Sequence, residues 1–222
     1  MSKDLSGQGL LKMLVVDDHE IILSGTTEPL RQQYPEAKIL TAQTAHSVLN
    51  QVEEFQPDLV VLDLAIPETI GETPQIDMGI NALRILIKSH PNLNVVVLSS
   101  HAKALVRLKH EIDEHQGGFT VADKTSIEDL LKKVDWALAG LTNTKNVKEL
   151  RTGELKPEWY EVLNLGVQGL TDKEIAKHLN IVERTVWNYW GKIRDVFGIY
   201  PEDGKNLRVQ TLMKARELGF ID

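Results

Sequence analysis

The 222-residue chain contains no cysteine, which removes disulfides, thiolate metal sites and cysteine nucleophiles together. That absence suits a reducing compartment without demanding one. Long apolar runs are also missing: the best stretches, Leu59–Ile66 and Val95–Leu98, are far too short to span a bilayer. The opening MSKDLSGQGL has neither a basic start nor an extended apolar segment, which speaks against a secretory signal and for a cytoplasmic protein. An excess of basic residues is lacking too. Lys and Arg number 25 against 32 Asp and Glu, for a net charge of −7. Averaged over the chain, that balance argues against nucleic-acid binding. What is present is ordinary globular composition, 42% apolar and 26% charged, in a chain long enough for one or two cored domains.

The charge is not spread evenly. Residues 1–149 carry 14 basic and 21 acidic side chains, whereas residues 150–222 carry 11 of each. The change falls in the polar stretch Gly140–Glu154, which reads as a linker over 141–154. It separates a domain over 10–140 from a second over 155–222.

Short apolar runs alternate with helical patterns in the first domain. Strands are predicted at Met13–Val16, Lys38–Leu40, Leu59–Leu62, Val95–Leu98 and Phe119–Val121. Helices are predicted near Glu20–Gln33, Ala45–Phe55, Gly79–Ser89, Lys103–Glu114 and Ser126–Ala139. The last of these has a capping box, Thr125-x-x-Glu128, at its start. Pro29 lies inside the first helix, where it removes a backbone bond, so a kink or an early end is expected there. Five strands alternating with five helices imply a parallel sheet covered on both faces, a doubly wound, flavodoxin-like α/β domain.

Ligands of such sheets bind outside the carboxyl ends of the strands. Asp17 and Asp18 follow the first strand, Asp63 the third, Ser99 closes the fourth, and Lys124 comes just after the fifth. Crowded carboxylates repel, by roughly 4 kcal/mol for a pair 4 Å apart at an effective dielectric near 20. A hard divalent cation relieves this, and Mg²⁺ suits one or two carboxylates with water and phosphate oxygens. One carboxylate can then attack a phosphoryl donor to form an acyl phosphate, with a lysine and a hydroxyl holding the phosphate.

Taken in order, D-D after the first strand, D-L-x-x-P after the third, S-S after the fourth and K-T after the fifth resemble the receiver domain of two-component response regulators. The resemblance implies Asp63 as phospho-acceptor, Asp18 as a direct Mg²⁺ ligand, and Asp17 assisting through water. It implies a further ligand in the Ala65 carbonyl, Ser99 as switch hydroxyl, Phe119 as switch aromatic and Lys124 as phosphate partner. Three segments are longer than the family pattern: Ala65–Met78, Gly118–Lys124 and Lys103–Gln116. With no insertion allowed, Ala122 rather than Lys124 falls at the lysine position.

The second domain has no strand pattern. Helices are predicted near Pro157–Val167, Asp172–Leu179, Glu183–Phe197 and Leu207–Leu218. Thr171-x-x-Glu174 is a capping box, and Val186, Trp190, Ile193 and Phe197 form one apolar stripe. Two helices joined through Asn180 and Ile181 form a helix-turn-helix whose second helix can enter the major groove. The sequence GLTDKEIAKHLNIVERTVWN with the tail KARELGFI resembles the LuxR-type DNA-binding domain, and the whole resembles a NarL/FixJ-type response regulator. By that match Trp187, Asn188 and Gly191 face the bases, and Asn188 suits a bidentate contact to adenine. Arg184, Thr185 and Lys192 contact phosphates. Val182 stands where the family has a capping serine, Trp187 where a basic residue is common, and Tyr189 where His is frequent.

The resemblance implies a transcription regulator rather than an enzyme. Its partners are a sensor histidine kinase and double-stranded promoter DNA, with room for a homodimer and none for a membrane. Two rivals use the same residues: a module whose second domain binds a protein instead of specific DNA, with or without phosphorylation, and a metal-dependent phosphatase of acyl phosphates.

Overall fold

The computed structural model describes residues 10–144, 155–202 and 204–221. The chain divides into two compact units, Met1–Val147 and Lys148–Asp222. Among the described residues of the first, six strands form one sheet: β1 (Lys12–Val16), β2 (Lys38–Ala42), β3 (Leu59–Leu62), β4 (Asn94–Leu98), β5 (Phe119–Ala122) and β6 (Thr142–Asn143). All neighbours are parallel, in the order β2-β1-β3-β4-β5-β6. The order reverses between β1 and β3, and a crevice opens at their carboxyl ends.

Alternation along each strand feeds two cores. Leu14 and Val16 of β1 face one with Val60, Leu62, Val95 and Val97, whereas Met13 and Val15 face the other with Val61 and Val96. Helices α2 (Ala45–Phe55) and α3 (Ile76–Ser89) cover the first face, and α1 (Glu20–Gln33) and α5 (Ile127–Leu138) the second. Burial on both sides explains why the central strands are almost continuous Val and Leu.

Several local expectations are revised. A sixth strand joins the predicted five, formed by Thr142–Asn143 in the stretch read as linker; positions 145–154 of that stretch lie outside the described residues. Helix α1 runs unbroken through Pro29. Proline at 29 leaves the Gly25 carbonyl without its intrahelical N–H donor, and the helix nevertheless continues to Gln33. Helix α3 begins at Ile76, three residues before its predicted start. The predicted helix Lys103–Glu114 is a 3₁₀ helix (Ala102–Leu108) followed by a short α4 (Lys109–Glu114). The cap of α5 is Ser126, which accepts from Asp129 N–H, and not Thr125. Thr125 instead donates its hydroxyl to Asp123 at 2.8 Å.

The long Ala65–Met78 segment is closed by an antiparallel bridge between Ile66 and Gln75. It docks on the start of α2, where Ala45 N–H and His46 N–H donate to the carbonyls of Pro67 and Glu68 at 2.9 and 3.2 Å.

The second unit is helical: α6 (Pro157–Val167), α7 (Asp172–His178), α8 (Glu183–Phe197) and α9 (Leu207–Glu217). Val186, Trp190, Ile193 and Phe197 of α8 are buried as one stripe. The capping box of α7 forms as read, with Thr171 and Glu174 exchanging hydrogen bonds. Those bonds also hold the Glu174 carboxyl below its usual value. No described helix is long and apolar enough to cross a membrane.

Candidate functional site

Register brings the acids together. Val16 pairs with Leu62, and Leu62 with Val97, so Asp17, Asp63 and Ser99 emerge from three adjacent strand ends. Backbone bonds fix the first two: Asp17 N–H donates to Ala42 O, and Asp63 N–H to Val16 O at 2.9 Å. At position 79 the approach of α3 leaves no room for a side chain, since a Cβ there would lie 2.0 Å from the carbonyl oxygen of Leu64. Gly79 thus lets the helix press against the turn that carries Asp63.

Asp17 and Asp63 are buried, at 2% and 4% exposure. Lys124 bridges them, its Nζ donating to Asp17 Oδ2 and to Asp63 Oδ2, both at 2.7 Å. Burial works against the lysine charge, but these two carboxylates outweigh it and raise the Lys124 pKa above its ordinary value. The inserted residues before it therefore do not displace Lys124, and Ala122 lies within β5. Asp63 Oδ1 is buried and has no hydrogen-bond partner among the described residues.

On the open side, Asp18 Oδ1 lies 2.7 Å from His19 Nδ1, and Asp17 Oδ1 accepts from His19 N–H at 3.0 Å. Asp17, Asp18 and His19 present ligand atoms within 4.8 Å of one another. His19 directly follows the acids and is not among the predicted ligands. Ser99 is buried at the end of β4, and its hydroxyl accepts from His101 N–H at 3.2 Å.

Phe119 is not brought to this site. It opens β5 instead of closing it, pairs with Val95, and lies three residues before the strand's carboxyl end, about 10 Å away along the strand. Its ring is fully buried against the edge of His115. The residue of that face nearest the site is Val121, which is not aromatic.

In the helical unit, α8 starts without a side-chain cap because Val182 has no hydroxyl to offer. Arg184, Trp187, Asn188 and Lys192 are exposed on α8, and Thr185 and Gly191 are half-buried. Trp190 is the clamp beneath them. Its Nε1–H donates to Asp172 at 3.0 Å, Arg208 stacks over its ring at 4.9 Å, and Arg208 also donates to Asp172 at 2.8 Å. A Cβ on Gly166 would meet the Trp190 ring at 2.7 Å, so the glycine lets α6 approach it.

Comparison with known proteins decides the family. The response regulator receiver domain matches residues 13–135, more than half the chain. The chain belongs to the response regulators. A second match, to bacterial regulatory proteins of the LuxR family, covers residues 158–199. This response regulator thus joins a receiver domain to a LuxR-type DNA-binding domain. It is 27% identical over 203 residues to the nitrate/nitrite response regulator protein NarL of Escherichia coli K12, covering 82% of this chain and 87% of NarL. It is also 27% identical over 224 residues to the DNA-binding transcriptional activator DevR/DosR of Mycobacterium tuberculosis, covering 94% and 95% of the two chains. Among solved structures, RcsB of Salmonella enterica serovar Typhimurium bound to promoter rprA shares the fold. Its TM-score is 0.57 at 20% identity, covering 93% of this chain and 98% of that one.

Proposed function

We propose that this response regulator is phosphorylated on Asp63 by a sensor histidine kinase and acts through DNA bound by α8. The observation that carries the first half is the asymmetry of Asp63. One oxygen is held by Lys124, and the other is buried without a hydrogen-bond partner among the described residues. A carboxylate so placed is aligned by a cation and retains an oxygen for reaction. In the transfer that oxygen forms a bond to phosphorus while the donor's phosphorus–nitrogen bond breaks, and the departing imidazole keeps the electron pair and takes up a proton.

The donor set fits Mg²⁺. Asp17 and Asp18 offer hard carboxylate oxygens, the Ala65 carbonyl follows Asp63 by two residues, and Asp63 Oδ1 is buried with no hydrogen-bond partner among the described residues. The metal, when bound, neutralises phosphate charge as it is transferred. Asp17 and Asp18 would hold it, and the backbone N–H of His19 keeps Asp17 in place. Lys124 turns from the carboxylates to the incoming phosphate. Ser99 donates its hydroxyl to a phosphate oxygen, which biases the receiver between two states.

For the second half, exposed Arg184 and Lys192 flank Trp187 and Asn188 on one helix, cations for phosphates beside side chains for bases. The reading is tested by incubating the protein with Mg²⁺ and acetyl phosphate and weighing it intact. Wild type is expected to gain one phosphoryl group and Asp63→Asn none. Equal labelling of both would overturn the acceptor assignment.

A further inference from the structure

Gly191 occupies a base-facing position of α8 yet carries no side chain. Among the described residues, a Cβ built there would find one neighbour, the Nη2 of Arg194 at 4.0 Å. Arg194 therefore folds back along its own helix toward the amino end, the direction in which helical side chains lean. Standing three residues after Gly191 and seven after Trp187, it shares their side of the helix.

Its neighbours leave it uncommitted. Arg208 is held by Asp172 and the Leu170 carbonyl, and Lys205 pairs with Glu202 at 2.5 Å. The guanidinium of Arg194 has neither a hydrogen-bond nor an ion-pair partner among the described residues. Beside it lies an open cavity of about 390 Å³ lined by Trp187, Trp190, Lys205, Arg208 and Asp172. Of the three cations lining it, Lys205 and Arg208 are paired with Glu202 and Asp172, which leaves Arg194 next to an indole that is 56% exposed. Positive charge beside an exposed aromatic surface suits a sugar–phosphate chain, where the cation takes the phosphate and the ring lies against the sugar.

We propose that Arg194 contacts a backbone phosphate of DNA, supplying from one turn further along α8 the cation that Gly191 lacks. The inference rests on α8 being the DNA-reading helix, and the experiment separates the two. Full-length protein is titrated into a fluorescein-labelled, mixed-sequence 24-base-pair duplex between 50 and 200 mM salt. Loss of one phosphate contact lowers the slope of log affinity against log salt by about 0.9. Arg194→Gln is therefore expected to lose that much slope and roughly tenfold in affinity at low salt. Arg194→Lys should keep the slope. Gly191→Lys added to Arg194→Gln should restore it, since a Cβ has room at position 191. The proposal is overturned if Arg194→Gln keeps the wild-type slope while Arg184→Ala loses it, or if Arg194→Lys falls as far as Arg194→Gln. A wild-type protein with no salt-dependent binding overturns the DNA reading itself, and this contact with it.

Discussion

Lys124 shows how one side chain can hold a site in two chemical conditions. Without phosphate, its ammonium is the charge that lets Asp17 and Asp63 share a buried crevice. Lys124→Met leaves two carboxylates facing each other. Removing one partner of a buried pair costs about 3–5 kcal/mol, and partial exposure of Lys124 reduces that to about 1–3 kcal/mol. Urea denaturation should show the loss, and Mg²⁺ should restore more stability to the variant than it adds to wild type. The sign of the pH dependence follows from the raised lysine pKa. Its contribution is complete below the ordinary lysine value and lost as pH climbs through the higher folded one. The difference between the two proteins should thus hold steady near neutral pH and shrink under strongly alkaline conditions. A constant difference at all pH values would mean that the lysine works through packing and not through charge.

Among elements, the legible parts were those with a strong period. Five strands and both helical layers could be read because burial on two faces leaves runs of Val and Leu, and Asp17, Asp18 and Asp63 could be placed because parallel strands end together. What escaped had a weak or ambiguous signal. Thr142 and Asn143 are polar and too few for an alternation. The 3₁₀ turn Ala102–Leu108 shares its composition with an α-helix. Phe119 follows from the family resemblance, but the lengthened Gly118–Lys124 segment puts it at the amino end of β5. Thr125 and Ser126 are both capping residues, and Asp123 decided between them by taking the threonine hydroxyl. Helix α8 offers a direct test of cap chemistry. Val182 is exposed at 69% and leaves the first N–H groups of α8 without a side-chain acceptor. Val182→Ser is expected to add about 1 kcal/mol, seen as a rise of about 4–8 °C in the melting temperature of a fragment spanning residues 155–222. No rise would show that these N–H groups are already satisfied by water.

For the molecule as a whole, the charge of −7 resides in the amino-terminal part, and the DNA-binding part is balanced. Tethering an acidic body to a reader of polyanions must weaken the encounter, most of all where salt does not screen it. Residues 155–222 alone should bind the mixed-sequence duplex several-fold more tightly than the full chain at 50 mM salt, the gap narrowing by 200 mM. An equal affinity at low salt would sink this electrostatic view. The balanced unit also explains why whole-chain composition argued against DNA without deciding the matter.

The sixth strand has a consequence of another kind. Paired to Phe119 and Thr120, with Phe119 N–H donating to Leu141 O at 3.1 Å, it covers part of one rim of the sheet. At the opposite rim β2 opens with the exposed Lys38, a charge that discourages a foreign strand. Both rims are thus guarded against edge-to-edge joining of copies. A receiver cut after Gly140 would keep all five principal strands, yet it would expose a bare backbone ladder to the next molecule.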